Sequence, residues 1–299
     1  MRTVLVGVDP GKNSGGPFSG EGGSGRRLAS LCGLSVDEFA SRFDRINLHH
    51  SAGHPESADR RAAENLIPVL RGRRVVAVGG RVATALSVGG ENLSWSVRER
   101  GFVGAKIPHP SGVSRWWNDR GNTLAASRFM KDMLRPCIHL EGPDGSGKTT
   151  LAGWISKEFE LSLIPTDDPP KSEEECRMRV NRRVGTSVVC DRSSGLISEL
   201  VYAPVLRGKT MWPEEQVWDL VRSIVHAVVF VYCRPPEKEL RPMFREGEDP
   251  DHVRGVVEKS SALVNRYDDV MSRLVREGAR VMKYDRTTQT PTEVLRCVE

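Results

Sequence analysis

The sequence contains few cysteines and no long apolar run. Its six cysteines lie far apart, and no two of them form a C-x-x-C pair. This spacing argues against a zinc site or a disulfide framework, so we expect free thiols in a reducing cytoplasm. No run of about 18 apolar residues occurs, so we expect no membrane span. The apolar run within residues 1–8 is also too short for a secretory signal peptide.

Length and composition are those of a globular chain with more than one domain. The 299 residues are long for a single domain, and 38% hydrophobic with 28% charged residues allows each part a packed core. Residues 1–133 carry 19 Lys+Arg against 12 Asp+Glu, whereas residues 134–299 carry 25 against 27. The basic excess of the first part hints at nucleic acid, although solvated surface charge explains it equally well.

The stretch from Cys137 to Thr150 organises the rest of the chain. A short apolar strand runs into a glycine-rich turn and then a helix, and residues 142–149 fit the P-loop pattern G-x-x-x-x-G-K-[ST]. In such a loop, backbone N–H groups that turn inward and the N-terminus of the helix bind phosphate. We expect Lys148 to contact the β- and γ-phosphates and the Thr149 hydroxyl to bind Mg²⁺. The predicted ATP-binding residues are Gly142, Asp144, Gly145, Ser146, Gly147, Lys148, Thr149 and Thr150.

A second strand supplies the expected partner of this loop. The apolar run 187–190 ends in Asp191 and Arg192, which predicts Asp191 for Mg²⁺ or substrate and Arg192 for a phosphate. Farther on, Arg241 and Arg245 stand among acidic residues in a segment suited to a lid that closes over phosphates. Lys148, Asp191, Arg192, Arg241 and Arg245 are therefore the predicted catalytic residues of this half.

Strands alternate with helices along the whole chain, which predicts an α/β fold with parallel sheets. Arg135 and Pro136 mark a boundary, so we expect two three-layer α/β/α domains, residues 1–133 and 134–299. In the first domain a strand over residues 3–8 ends at Asp9, and ligand sites lie at such strand ends. An Asp before proline is also a common turn residue, and that alternative stays open.

Residues 134–299 resemble the thymidylate-kinase group of P-loop nucleotide kinases, through Leu140–Thr150, the pair Asp191-Arg192 and the arginine-bearing lid. The resemblance implies a phosphotransferase that uses ATP and Mg²⁺, with the Asp-Arg pair beside the acceptor. The acceptor loop of that group carries an arginine, but residues 166–170 have none. Either a later arginine binds the acceptor phosphate, or the acceptor is not a simple monophosphate. The candidate arginines are Arg177, Arg179, Arg182 and Arg183.

Residues 1–130 resemble the uracil-DNA glycosylase superfamily. The matching motifs, in the order of that family, are residues 7–11 (GVDPG), 16–20 (GPFSG), 76–83 (V-x-x-x-G-x-x-A) and 109–111 (HPS). The resemblance implies DNA binding: Asp9 activates water, Phe18 stacks on an extruded base, Asn47 reads the base edge, and His109 and Ser111 clamp the backbone.

Two further expectations concern possible metal ligands in this half. Cys32 is its one cysteine, so no iron–sulfur cluster of the glycosylase type is expected. His49, His50 and His54 lie close in sequence without Cys or carboxylate spacing, which favours solvated loop histidines over a metal site.

Three functions fit this combination. The first is a deoxynucleoside monophosphate kinase joined to a base-recognising domain, with a variant that phosphorylates a hydroxymethylated pyrimidine in DNA, as in phage base modification. The second is a DNA-binding module driven by an ATP switch, and the third includes an active glycosylase. The acceptor and the oligomeric state are left open by the sequence.

Overall fold

A computed structural model describes residues 2–8, 17–18, 23–51, 53–111, 114–165, 170–184, 187–192, 195–240 and 250–298. The chain divides into two compact units. Unit 1 consists of Met1–Arg135 with Val184–Thr186, and unit 2 of Pro136–Arg183 with Ser187–Glu299. Both units are α/β folds built on sheets that are wholly or mainly parallel, which confirms the predicted fold class. The functions assigned to the two domains stay predictions.

The described residues of unit 1 form one five-stranded sheet and five α-helices. Its strands are β1 (Thr3–Gly7), β2 (Phe43–Asn47), β3 (Arg74–Val78), β4 (Ser96–Arg98) and β5 (Phe102–Ile107). Its helices are α1 (Gly23–Cys32), α2 (Val36–Arg42), α3 (Glu56–Leu70), α4 (Gly80–Ala85) and α5 (Arg120–Asp132). A capping box begins α2, with Ser35 and Glu38 each accepting a hydrogen bond from the other's backbone N–H group.

The sheet of unit 1 has the order β2-β1-β3-β5-β4, and the first four strands are parallel. Strands β1 and β3 are buried along their whole length, as expected for strands covered on both faces. Strand β4 departs from the predicted all-parallel sheet, because it pairs with β5 in antiparallel fashion. The two strands are joined by a tight turn at Gly101, whose N–H bonds to Arg98 O, and so short a connection reverses the chain direction.

Unit 2 also contains a five-stranded sheet. Its strands are β6 (Ile138–Glu141), β7 (Ser162–Ile164), β8 (Val188–Asp191), β9 (Val229–Cys233) and β10 (Arg280–Tyr284). Its helices are α6 (Lys148–Glu158), α7 (Glu173–Arg183), α8 (Leu196–Tyr202), α9 (Glu214–Arg222), α10 (Pro250–Glu258), α11 (Ser260–Arg276) and α12 (Pro291–Val298). A π-helical turn, Ala203–Arg207, continues α8.

All strands of unit 2 are parallel, in the order β10-β9-β6-β8-β7. The chain leaves central β6 toward β8 and β7 on one side and later returns to β9 and β10 on the other. The carboxyl end of β6 is therefore a switch point of the sheet, the place where open α/β sheets bind ligands. The glycine-rich loop follows β6 directly.

Helices α10 and α11 are separated by a break at Lys259, and α11 runs without interruption through Tyr267 and Asp268. Asp268 accepts hydrogen bonds from the Tyr232 hydroxyl (2.7 Å) and from Arg234. Because these tertiary partners satisfy its carboxylate, Asp268 has no need of the backbone contacts by which Asp ends helices elsewhere.

Two absences follow for the described part of the chain. Every helix there is too short or too polar to cross a lipid bilayer. The cysteines whose side chains are described are buried, and none of them forms a disulfide: Cys32, Cys137, Cys176, Cys190 and Cys233.

A buried histidine makes unit 2 sensitive to acid. His139 in β6 is enclosed beside Phe230 and the Cys137 sulfur, and burial lowers its pKa from 6.5 to about 3, with the nearby charge of Arg183 adding to the shift. The folded protein therefore keeps this ring neutral at a pH where the unfolded chain protonates it. Stability is complete above pH 6.5 and is lost as the pH falls from there toward 3.

We expect the free energy of unfolding to drop by about 2 kcal/mol from pH 7 to pH 5 through this residue alone. Urea denaturation at both pH values measures the drop. In His139→Leu the free energy of unfolding should fall by about 2 kcal/mol less over the same pH step. This difference does not depend on the stability of the variant at pH 7. An equal pH dependence in the two proteins would show that His139 does not carry the effect.

Candidate functional site

The loop between β6 and α6 has the backbone of a phosphate cradle. Gly142, Gly145 and Gly147 all have positive φ, at 147°, 76° and 91°. At Gly142 a β-carbon would lie 2.3 Å from the Cys233 carbonyl oxygen and 3.0 Å from Ser146 Oγ. The loop therefore packs against the end of β9 in a form that a side chain at Gly142 would prevent.

Lys148 lies at the start of α6 and turns back over this loop. Its Nζ donates to the carbonyl oxygens of Gly142 (2.8 Å) and Pro143 (2.7 Å), and only 6% of the residue is exposed. Burial lowers the pKa of Lys148 and neighbouring Arg192 lowers it further, against the opposing charges of Asp144 and Asp191. A desolvated ammonium held over a glycine-rich loop interacts strongly with an anion.

Thr149, in the first turn of α6, meets Asp191 at the end of β8. The Thr149 hydroxyl donates to Asp191 Oδ2 at 2.6 Å, and β8 pairs in parallel with β6, which delivers Asp191 to the loop. A hydroxyl and one carboxylate fit Mg²⁺, which binds few protein oxygens and completes its shell with water and phosphate. Within the described ranges no cluster of three or more His, Cys, Asp or Glu could hold a metal by itself.

Arg192 and Asp144 form a half-buried ion pair beside the loop. Arg192 has a φ of 75°, unusual for a non-glycine residue, and its guanidinium pairs with Asp144 Oδ1. The Tyr202 hydroxyl donates to the other Asp144 oxygen (2.9 Å), and Arg192 stacks over the Tyr202 ring. Burial opposes the charged form of Arg192, but Asp144 outweighs it and raises the arginine pKa. A positioned cation and a positioned carboxylate thus lie next to the glycine-rich loop.

The arginines proposed for an acceptor phosphate separate into two kinds. Arg177 and Arg179 pair with Glu173 and Glu175 one turn earlier on α7. Arg183 is buried, and its Nη1 donates to Arg192 O (3.3 Å), so it supports the backbone of the Asp191-Arg192 turn. Arg241 and Arg245 lie outside the described residues, as does most of the predicted acceptor loop, 166–169.

Arg286 is a neighbour of the loop that sequence reasoning missed. It follows β10, its Nη2 donates to Glu239 O (2.6 Å), and its Cδ lies 2.9 Å from where a β-carbon of Gly147 would be. It thus links the loop to the 3-10 turn Glu237–Glu239. No local motif marks Arg286, because the contact joins residues 139 positions apart.

In unit 1, two predicted base-binding residues converge on one glycine. A β-carbon at Gly7 would lie 2.6 Å from Asn47 Oδ1 and 2.9 Å from the Phe18 ring. Phe18 has a φ of 48°, and its carbonyl accepts a hydrogen bond from Arg45. An aromatic ring and a carboxamide therefore share one place at the carboxyl ends of β1 and β2. Asp9, the predicted water activator, lies outside the described residues.

His109 and Ser111 follow β5 on the same edge of this sheet. The Ser111 N–H donates to His109 Nδ1 (3.2 Å), and Trp117 Nε1 donates to His109 O (2.8 Å). The imidazole covers Gly79, whose added β-carbon would lie 3.3 Å from His109 Cβ. The H-P-S motif thus forms one turn at the end of β3, closed by the Ser111 backbone and the His109 ring.

The expectation that His49, His50 and His54 are solvated is wrong for His49. Its side chain is buried and its Nε2 lies 2.8 Å from Asp59 Oδ1, while Arg81 binds both oxygens of Asp59 at 2.9 Å. Burial raises the pKa of Asp59, but the hydrogen bonds from Arg81 and His49 outweigh it, and the net shift is downward. Sequence gave no sign of this network, because its members come from a loop, α3 and α4.

Comparison with known proteins yields structural likenesses alone. No protein-family model and no curated protein matches the chain. YorR from Bacillus subtilis, in complex with phosphorylated GDP, is 23% identical over 54% of this chain and 92% of its own, with a TM-score of 0.42. Deoxyadenosine kinase from M. mycoides with bound dCTP is 14% identical over 54% and 95%, with a TM-score of 0.36.

A third solved structure is similar over nearly the whole chain. NadR in complex with NR is 14% identical over 99% of this chain and 87% of its own, with a TM-score of 0.41. Each of these TM-scores is below 0.5, and no functional assignment follows from such a likeness.

Proposed function

We propose that unit 2 is a kinase that transfers the γ-phosphoryl group of ATP to a nucleotide, with a deoxynucleoside monophosphate as the first candidate. One observation carries this proposal. Lys148, the Thr149–Asp191 pair and the Asp144–Arg192 pair surround a single glycine-rich loop at the switch point of a parallel sheet. Phosphoryl transfer needs positioned phosphates and neutralised charge more than covalent chemistry from the protein.

Each group has a definite task in such a reaction. Lys148 exchanges its carbonyl acceptors for phosphate oxygens and holds the β- and γ-phosphates in place. Arg192 compensates negative charge that develops on the transferred group, and Asp144 and Tyr202 fix the direction of its guanidinium. Thr149 and Asp191 would hold Mg²⁺, which neutralises phosphate charge when bound. Arg241 and Arg245 remain proposed lid residues.

The position of Asp144 favours an acceptor bound beside Arg192. Its carboxylate lies on the loop itself and is held by Tyr202 from α8, so an acceptor there would meet an anion and a cation together. Such a pair suits a molecule with a hydroxyl for the carboxylate and a phosphate for the guanidinium. A nucleotide has both.

A second candidate acceptor is a hydroxymethylated pyrimidine within DNA. The convergence of Phe18 and Asn47 on Gly7 favours it, because a ring and a carboxamide are what stacking and edge reading of an extruded base require. The predicted acceptor loop without arginine also favours an acceptor other than a simple monophosphate. In this version unit 1 binds DNA and presents the base.

A transfer assay with γ-labelled ATP and Mg²⁺ decides between these acceptors. One series contains free deoxynucleoside monophosphates, and another contains DNA with thymine, uracil or 5-hydroxymethyluracil. Label on a monophosphate establishes a nucleotide kinase, and label on DNA establishes a base-modifying kinase. Release of free uracil would instead identify a glycosylase. ATP hydrolysis that DNA stimulates, without label on any acceptor, would identify an ATP-driven switch and overturn the kinase proposal.

A further inference from the structure

A cleft in unit 1 opens at the carboxyl ends of β3 and β5. Its volume is about 520 Å³, within the range of roughly 300–1,000 Å³ found for small-molecule sites. The N–H of Gly79 donates to Ile107 O (2.8 Å), so the two strand ends that line it are bonded to each other. This is the edge of an open parallel sheet at which ligands bind.

The walls of the cleft combine one cation with neutral polar and apolar groups. Helix α4 and the turn after it contribute Thr84, Ser87 and Asn92, while the end of β5 contributes Lys106 and Pro108. Among the described residues that line it, none is acidic, and Lys106 supplies the charge. A cleft of this size and composition fits an anion that also has hydrogen-bonding and flat apolar parts.

Lys106 is held in place by its strand. Its neighbours Ala105 and Ile107 are buried, and its own carbonyl accepts a hydrogen bond from Leu93 N (2.9 Å). Within the described ranges no carboxylate lies close enough to form an ion pair with it, whereas Arg73 and Arg81 in the same unit both have acidic partners. A half-buried ammonium without a protein counter-ion favours an anionic ligand.

We propose that this cleft is a nucleotide subsite in which Lys106 neutralises a phosphate. Thr84 and Asn92 provide hydrogen bonds for the sugar or base, and Pro108 offers an apolar surface for stacking. Inorganic phosphate alone would leave most of the volume unfilled. The phosphate can belong to a free mononucleotide or to one nucleotide of a DNA strand, because both present a phosphate beside a sugar and a base.

The cleft is distinct from the place where Phe18 and Asn47 meet. Strand β3 separates β5 from β1, and neither Phe18 nor Asn47 is among the residues that line the cleft. Adjacent strands lie about 4.8 Å apart, which puts the ends of β1 and β5 roughly 10 Å from each other. Two nearby nucleotides of one strand fit such a separation. A DNA strand as the ligand rests on the proposed base binding by unit 1. Neither a DNA strand nor a free mononucleotide as the ligand requires phosphoryl transfer by unit 2.

Fluorescence anisotropy of the full chain with a labelled ten-nucleotide thymidine strand tests the proposal, with free dTMP as competitor. We expect Lys106→Met to weaken strand binding about tenfold and to reduce its salt slope by about one. Lys131→Met is the matched control, because Lys131 is an exposed lysine of the same unit on α5, outside the cleft. Thr84→Trp fills the cleft without a change of charge and should weaken binding as well.

The outcomes separate the two sources and the two proposals. If dTMP competes well and Lys106→Met weakens the binding of dTMP, the ligand is a free nucleotide. If dTMP competes poorly, the ligand is a DNA strand. Phosphoryl transfer to a free monophosphate should be unchanged in Lys106→Met, so its absence in both proteins would count against unit 2 alone. Equal losses in Lys106→Met and Lys131→Met, with none in Thr84→Trp, would overturn the cleft as a site.

Discussion

Replacement of Lys148 by alanine should reduce the turnover number for phosphoryl transfer about 10³-fold, if unit 2 is the proposed kinase. The ammonium is buried and points into the glycine-rich loop, so its removal takes away a cation that water cannot replace. Steady-state kinetics with γ-labelled ATP measure the loss. Lys148→Arg should recover little, because a planar guanidinium does not fit the space between two loop carbonyls.

The control for this variant lies on the same helix. Lys157 is exposed near the end of α6, and Lys157→Ala removes the same charge and side chain far from the loop. We expect nearly normal turnover there, and unchanged melting temperatures in both variants. Because DNA binding is proposed for unit 1, the Lys148→Ala variant should still bind the thymidine strand. Loss of both activities in a folded variant would contradict this division of labour.

Local sequence patterns carry the parts of the structure that are formed by neighbours in the chain. The strand, glycine turn and helix around residues 138–158 follow from an apolar run, three glycines and a helical pattern, and all appear as predicted. The contact between Thr149 and Asp191 was also predictable, because a second apolar strand that ends in an acid belongs beside the first in a parallel sheet.

Other contacts between distant segments have no such signal in the sequence. Tyr202 reaches Asp144 from 58 residues away, and Arg286 reaches Gly147 from a loop with no motif of its own. His49 was misjudged because its partner Asp59 lies on a helix whose orientation the sequence does not fix.

Replacement of glycine by alanine should have opposite effects on stability at two positions, Gly142 and Gly153. Gly142→Ala should lower the free energy of unfolding by roughly 2 kcal/mol or more and abolish the ATP binding that we propose for this loop. At φ 147° an alanine is strained, and its β-carbon would lie 2.3 Å from the Cys233 carbonyl, a backbone group that cannot rotate away. The loop must therefore leave β9, and the N–H groups that form the cradle move with it.

Gly153→Ala is the matched comparison. Gly153 lies within α6, and nothing stands within 4 Å of where its β-carbon would be. Alanine is the better helix former, so this variant should gain about 0.5–1 kcal/mol and keep its ATP affinity. Urea denaturation and ATP titration of the two variants measure both effects. A Gly142→Ala protein with normal stability and normal ATP affinity would show that the close approach of this loop to β9 is not required for the nucleotide site.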